Sequence, residues 1–441
     1  MGKFHLIGIK GAGMSALAQV LHGMGHYVQG SDRTTRFFTQ KPLESLSIPL
    51  LEFNPRNILK LDPGFTVVAS NAWPDEHPEI SLSRKLGLRF YRYHEFLGEL
   101  IRPFTSISVT GAHGKTTTAG LMAHVFEEQG PVARIIGDGT GSGRTGDKWF
   151  ILESCEYRRH FLAYHPDYAV ITNVDFDHPD YFRDFHDTLQ AFQQMVRQVK
   201  QAVIACGDDP GVRMLSFPGK VLFYGLEPAN DLRAYHVMVD EHGTSFDVSF
   251  LGNFLGRFAI PLHGDHNVLN ALAVIGTAVL EKLDMERVAD RLKTFSGVRR
   301  RFVETPLDSN ILIDDYAHHP AEVTATIRAA RDKYPSRRLV AVFQPHTYSR
   351  LEHFLDGFAR ALGEADEVHV CDVFGSVRES TGTVDVTDLL ERLPGARHLS
   401  RENVGELNRY EDSVILFMGA GDIQKYQRWL LESGDRTRNV E

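Results

Sequence analysis

Phe104-Thr105-Ser106-Ile107-Ser108-Val109-Thr110-Gly111-Ala112-His113-Gly114-Lys115-Thr116-Thr117-Thr118 runs from a β-rich segment through a glycine turn into a helical pattern. Leu121, Met122, Val125 and Phe126 continue that pattern at helical spacing. A strand, turn and helix in this order aim the N–H groups of the turn and of the first helical residues outward, where they attract an anion. Lys115 adds a full charge, and Thr116 offers a hydroxyl to Mg²⁺. Gly111, Ala112, His113, Gly114, Lys115, Thr116 and Thr117 thus read as a phosphate cradle. Val109 stands where the full P-loop pattern has its first glycine. The competing reading is a plain strand-turn-helix connection with a solvated lysine. Trp149-Phe150-Ile151-Leu152-Glu153, an apolar run ending in a carboxylate, favours the cradle, because such a residue holds a metal beside bound phosphates.

At 441 residues the chain exceeds one core of usual size, and two or three domains are expected. Its net charge of -9 is spread without a basic tract, which argues against a nucleic-acid partner. Cys155, Cys206 and Cys371 are far apart and form no Cys-x-x-Cys pair, which suits a reducing compartment and argues against a structural zinc site. Cys155 is expected to be a buried, passive thiol. The N-terminus opens on a strand pattern, and no apolar run reaches bilayer length, so a cytoplasmic protein without membrane insertion is expected.

Three α/β blocks follow one another: 1–102, 103–302 and 303–441. The first opens with a strand over Phe4 to Ile9, glycines 8, 11 and 13, and a helix with Met14, Leu17, Val20, Leu21 and Met24 on one face. A second strand, Tyr27-Val28-Gln29, runs into Gly30-Ser31-Asp32. This is a Rossmann-type opening in which Asp32 can meet a ribose hydroxyl, although the spacing Gly-x-x-Gly-x-Gly departs from that of common dinucleotide binders. Close helix–strand packing explains the same glycines equally well. In the second block, Tyr168 to Val174 reads as a parallel strand buried on both faces, ending at Asp175-Phe176-Asp177-His178. Thr244 to Phe250 alternates and suggests a small antiparallel addition, and Gly264 to Asn270 starts a helix. The third block has strand patterns at Asn310–Asp315, Leu339–Phe343, Val368–Cys371 and Val414–Phe417, read as a second doubly wound unit.

Chemistry-bearing residues gather at strand ends, where open α/β sheets hold ligands. His178, beside Asp175 and Asp177, is a candidate metal or phosphate contact. Asp315, Tyr316 and His318 form a polar cluster after a strand, with helix capping as the alternative for the aspartates. Arg301 belongs to an arginine run near the second block boundary, and Arg350 is a candidate carboxylate clamp.

Taken together, Gly8 to Ser15, Thr110 to Thr118, Asn173 to His178, His266 to Asn270, Gly297 to Phe302 and Asp314 to Pro320 resemble the motifs of the Mur ligase family along nearly the whole chain. The Gly13-Met14-Ser15 ending of the first loop is similar to that of the alanine-adding member. The resemblance implies an N-terminal domain for a UDP-sugar, a central ATPase domain and a C-terminal domain that closes over both. It implies ATP and Mg²⁺, with Mn²⁺ able to substitute, and UDP-N-acetylmuramate and L-alanine as substrates, in a monomer or homodimer. Carried over by position, Lys115 and Arg301 would meet phosphate, and Thr116, Glu153 and His178 the metal. His266, Asn267 and Asn270 would surround adenine, and Asp315 the ATP ribose. Gly11, Ala12, Gly13, Met14, Ser15, Ser31 and Asp32 would lie along UDP, while Tyr316, His318 and Arg350 line the amino-acid end, with His318 a candidate base. Where relatives show Glu-Ala-Asp-Glu-Ser-Asp, this chain has Glu153-Ser154-Cys155-Glu156-Tyr157-Arg158, followed by Arg159 and His160, whose roles the pattern does not explain. A peptide-attaching relative, a nicotinamide-dependent dehydrogenase and a non-catalytic nucleotide sensor are the alternatives. The dehydrogenase leaves Lys115, Glu153 and the asparagine motif without a role.

Overall fold

In a computed structural model that describes residues 1–375, 379 and 381–438, the chain forms three sheets in succession. The first has five parallel strands, Lys3–Ile7, Tyr27–Asp32, Leu50–Glu52, Phe65–Ala69 and Arg89–Arg92, with the Lys3–Ile7 strand in the middle. Apolar side chains cover both faces of its centre: Ile7, Val67 and Ala69 pack on one side, and Leu6 and Val68 on the other. Such two-sided burial is what helical crossovers between parallel strands produce. Helix Ala12–Gly23 supplies Leu17, Val20 and Leu21 to this packing.

The second sheet has ten strands. Thr105–Thr110 lies at its centre, paired in parallel with Tyr168–Ile171 on one side and Trp149–Glu153 on the other. Its far edge, Leu232–Asp240, Gly243–Phe250 and Asn253–Ile260, is the antiparallel addition that alternation in the sequence predicts. Alternate residues of Trp149–Glu153 serve different cores. Trp149 and Ile151 pack under helices Lys115–Phe126 and Asp265–Leu280. Phe150 and Leu152 join Leu6, Leu17 and Phe96 of the first block in one continuous apolar cluster. The first two blocks are therefore welded by a shared core. The strand expected over Tyr168 to Val174 stops at Ile171, because Thr172 and Asn173 leave the ladder to bind the loop at His113.

Six strands make the third sheet: Val303–Leu307, Asn310–Asp315, Arg338–Phe343, Glu367–Cys371, Arg397–Leu399 and Ser413–Met418. All pairs are parallel except the edge strand Val303–Leu307, which runs antiparallel to Asn310–Asp315. That edge departs from the purely doubly wound expectation. Its cause is local: Asp308 and Ser309 close a two-residue hairpin in which Asp308 takes φ of 52°. Within the block read as 303–441, residues 376–378, 380 and 439–441 lie outside the described residues. Among the described residues, no helix is long and apolar enough to cross a membrane.

Phe150 is fully buried where the two blocks share a core. Phe150→Ala is expected to destabilise the first two blocks together by about 3–5 kcal/mol. Urea unfolding followed by tryptophan fluorescence checks this. A midpoint unchanged from wild type would contradict the shared core.

Candidate active site

Strand Thr105–Thr110 delivers the cradle at its C-terminal end, and two glycines let the chain turn there. Gly111 has φ of 137°, and a Cβ on it would stand 2.1 Å from Thr172 Oγ1. Gly114 caps helix Lys115–Phe126 at φ of 80°, where a Cβ would lie 2.8 Å from Asn270 Oδ1. Any side chain at either position would collide with these neighbours. Asn173 grips the loop between the glycines, accepting from His113 N at 2.9 Å and donating to His113 O at 3.0 Å. Val109, the departure from the full P-loop pattern, is fully buried in the sheet core.

Lys115 folds back over its own loop. Its ammonium donates to the carbonyls of Gly111 and Ala112 and lies 3.2 Å from Glu156 Oε2. Burial opposes its charge, but Glu156, Cys155 and Glu153 outweigh that and push the lysine upward. Glu156 is itself buried, and Lys115 and His178 hold its carboxyl below the usual range. Thr116 Oγ1 donates to Glu153 Oε2 at 2.8 Å, and the Gly137 N–H reaches the same oxygen at 2.9 Å. A hydroxyl and a carboxylate at this distance make a hard oxygen donor set that fits Mg²⁺. His178 lines the same cleft as Thr116 and Glu153. Burial pushes its imidazole down, but Asp177, Cys155 and Glu156 hold it up at about 10, so at neutral pH the ring carries a proton. It can ligate only after losing that proton; as it stands it presents a cation.

His113, Gly114, Thr117, His266, Asn267, Asn270, Arg301 and Asp315, all singled out by sequence, line one cavity between the second and third sheets. Asn270 accepts from Thr118 Oγ1 at 2.9 Å and donates to Asn267 Oδ1 at 3.1 Å, so the asparagines brace each other along helix Asp265–Leu280. Burial and the nearby Arg301 charge keep His266 neutral, lowered to about 4. Asp315 accepts the N–H groups of Phe302 and Ala317, both at 2.8 Å, which ties the connection between the blocks to the third sheet. Burial raises its carboxyl to about 6 against the pull of Arg301 and these N–H groups.

A larger cleft of about 840 Å³ brings Lys115, Thr116, Glu153, His178, Arg301, Tyr316 and His318 to one space with Ala12 of the first block. The N-terminal group is only partly as expected. Gly11 precedes a helix whose first N–H groups have no carbonyl partner by geometry, so Ala12 and Gly13 can meet an anion. Met14 and Ser15 point inward instead; Met14 is in the core and the Ser15 hydroxyl donates to Thr39 O. Ser31 is fully buried and donates to Glu79. Asp32 spends one oxygen on the Lys10 N–H and the other on the Arg33 N–H, both at 2.7 Å, and so shapes the glycine loop. Their side chains are structural, because a strand end that supports a tight loop must satisfy the loop's N–H groups. Cys155 is also corrected: its thiol is exposed, in a cavity it shares with Gly13, Asn71, Glu153 and His160. Arg158 and Arg159 take φ of 52° and 57°, and Arg159 pairs with Asp187 at 2.6 Å.

Arg350 does not line the cleft. It is buried across the seam between the second and third blocks, with Nε at 3.0 Å and Nη2 at 2.8 Å from Asp177 Oδ1. The expected clamp for a ligand carboxylate instead clamps a carboxylate of this chain. Glu322, in the first turn of helix Pro320–Lys333, completes the seam. Its carboxylate lies 3.4 Å from His113, 3.6 Å from Arg301 and 3.1 Å from His318. Sequence reasoning passed over Glu322 and gave Glu156 no role. Glu322 is visible only as an acid in the first turn after Pro320, and Glu156 only as a second acid after the Glu153 strand.

The chain matches Mur ligase domains in three consecutive segments: the Mur ligase family catalytic domain over 3–105, the middle domain over 109–278 and the glutamate ligase domain over 299–421. It belongs to the Mur ligase family and is an ATP-dependent ligase of peptidoglycan precursors. Among solved structures it is similar to the UDP-N-acetylmuramate–alanine ligase MurC of Thermotoga maritima, at 26% identity and a TM-score of 0.83 over 100% of both chains. A murein peptide ligase of Psychrobacter arcticus shares the fold, at 22% identity and a TM-score of 0.72 over 98% of each chain. The UDP-N-acetylmuramate:L-alanyl-γ-D-glutamyl-meso-diaminopimelate ligase of Neisseria meningitides matches 68% of this chain and 100% of its own length, at 27% identity and a TM-score of 0.61.

Two outcomes follow from the seam. Arg350→Met leaves buried Asp177 short of its partner, a change that costs about 3–5 kcal/mol. The third block should swing free, and small-angle scattering should show a larger radius of gyration; an unchanged radius would contradict the clamp. Burial pushes His113 down, but Asp175 and Glu322 hold it up at about 9 against an ordinary 6.5. A raised value means that its pairing stabilises fully below 6.5 and is lost as the pH rises through 9. The thermal midpoint should therefore fall over that rise, and His113→Ala should flatten the fall.

Proposed function

We propose that this chain joins L-alanine to the lactyl carboxylate of UDP-N-acetylmuramate through an acyl phosphate, releasing ADP and phosphate. The observation that carries this reading is the cradle itself: a half-buried lysine over a helix N-terminus, with a threonine–carboxylate pair beside it, in a cleft shared by all three blocks. Similarity to the alanine-adding ligase over both full chains supports the choice of substrate.

A carboxylate does not acylate an amine at a useful rate, because its oxygen is a poor leaving group; transfer of the γ-phosphoryl group of ATP changes that. In this reading the residues lining the cavity at His266, Asn267 and Asn270 take the adenine, and Asp315 the ribose, which leaves the phosphates over Gly111 to Thr117. Lys115 and Arg301 spread the charge that develops during transfer, the largest service a fixed site offers this reaction. Thr116 and Glu153 would hold Mg²⁺, or Mn²⁺, which supplies further charge stabilisation on the phosphates. The N-terminal loop at Gly11, Ala12 and Gly13 receives the UDP-sugar. His178, which lines the same cleft, would join Thr116 and Glu153 as a metal ligand once its ring is deprotonated.

The amine must then lose a proton. His318 has Nδ1 at 3.0 Å from Tyr316 O and 3.1 Å from Glu322. With its hydrogen on Nδ1 toward these oxygens, a neutral ring would keep Nε2 as an acceptor, the arrangement a base needs. Tyr316 borders the same space. The seam at Arg350 and Glu322 keeps water from the acyl phosphate while the amine attacks. Because Arg350 is engaged by Asp177, this reading gives it closure of the cleft instead of contact with alanine.

The test is one assay: purified chain, Mg-ATP and UDP-N-acetylmuramate with alanine or with the tripeptide L-alanyl-γ-D-glutamyl-meso-diaminopimelate, measuring phosphate and ligated product together. Alanine should give product and the tripeptide none. Product with the tripeptide alone would move the chain to the peptide-attaching activity named for the Neisseria relative. Lys115→Ala should lower turnover by about 10²-fold or more with circular dichroism unchanged. Near-normal turnover in that variant would contradict the role given to the cradle.

A further inference from the structure

Beside the cradle, three donors of different chemistry meet at positions that the ligase reading leaves partly used. Cys155 presents an exposed thiol, Glu156 a buried carboxylate and His178 a half-buried ring. A sulfur, a carboxylate oxygen and a ring nitrogen from these residues lie within 4.8 Å of one another, and Glu156 Oε1 is 3.5 Å from His178 Nε2. We propose that Cys155, Glu156 and His178 form a binding site for a thiophilic divalent cation, Zn²⁺ foremost, separate from the oxygen pair of Thr116 and Glu153.

The geometry needs little adjustment. Around tetrahedral zinc, with bonds of about 2.0–2.3 Å, neighbouring ligand atoms sit about 3.3–3.8 Å apart. The present spacing closes to that by side-chain rotation of about 1 Å, which an exposed cysteine allows. Donor type then sorts the metals. Magnesium prefers oxygen ligands and keeps its waters, so it belongs at Thr116 and Glu153, whereas sulfur and imidazole select zinc. Binding forms one bond from Sγ and one from the ring nitrogen, and the thiol and imidazolium protons leave to solvent.

Lys115 tolerates the exchange. It would give up Glu156 at 3.2 Å but keep the carbonyls of Gly111 and Ala112. Thiolate and carboxylate offset the charge of the ion, but zinc would take Glu156 away from that ammonium and the His178 ring away from the cleft. The same ion therefore both occupies and disables the cradle's flank, so this chain carries a zinc-sensitive inhibitory site.

The experiment uses the full chain without nucleotide, with Co²⁺ as a spectroscopic probe and Zn²⁺ as competitor. The expected spectrum has a thiolate-to-cobalt charge-transfer band in the near ultraviolet and intense tetrahedral bands in the visible, both bleached by equimolar Zn²⁺. Cys155→Ser, a change at an exposed position, should remove the charge-transfer band with circular dichroism unchanged. Glu156→Gln should weaken Zn²⁺ binding by about tenfold or more, the loss that even an outer-shell change produces. Absence of the band at saturating Co²⁺ would overturn the proposal. So would a band that persists in the serine variant, because its thiolate would then come from Cys206 or Cys371. Since no ATP or sugar is present, the result stands or falls independently of the ligase reading.

Discussion

A half-buried ammonium needs acceptors, and the arrangement around Lys115 follows from supplying them. Two loop carbonyls and the Glu156 carboxylate hold it over the start of helix Lys115–Phe126. The carbonyls can face inward only because Gly111 and Gly114 turn the loop through positive φ. Thr172 and Asn173 leave the adjacent strand to pin that turn, and Asn270 comes up against Gly114 from helix Asp265–Leu280. The loop is therefore held from three sides, and the lysine is fixed over it by its own carbonyls and Glu156.

The third block is attached on different terms. Where the first two blocks share an apolar core around Phe150, the third meets the second through ion pairs, Asp177 with Arg350 and Glu322 with His113 and Arg301, beside ring contacts of Phe176 with His353 and Phe354. Apolar burial is non-directional and holds at every pH, whereas paired charges are geometric and can be exchanged for ligand charges. Arg301 and Glu322 border both the cavity at His266 and the larger cleft, so groups of the seam also line both spaces.

Much of this was legible in the sequence because the determinants are local. Gly-x-x-Gly-Lys-Thr between a strand and a helix states the cradle outright, and alternation through Thr244 to Phe250 states the antiparallel edge. The apolar strands Trp149–Glu153 and Arg338–Phe343 announce themselves by composition. What escaped is non-local. Arg350 looks like a ligand clamp until the fold brings Asp177, far away in the chain, against its guanidinium. Asp32 looks like a ribose contact, and Ser31 like a neighbour of UDP, but in the fold Glu79 and the Lys10 N–H engage their side chains. Cys155 reads as a buried thiol by residue type, but in the fold it lies exposed, in a cavity with Gly13 and Asn71 of the first block. Glu156 and Glu322 gain their meaning only from cations supplied by other elements.

At the centre of the account stands a carboxylate made reactive by phosphoryl transfer within this cleft. The direct measurement is the fate of heavy oxygen placed in the lactyl carboxylate of UDP-N-acetylmuramate during turnover with ATP and alanine. If an acyl phosphate forms, the bridging oxygen leaves with phosphorus, and one labelled atom appears in each released phosphate. Phosphate that emerges without label while amide accumulates would contradict the account.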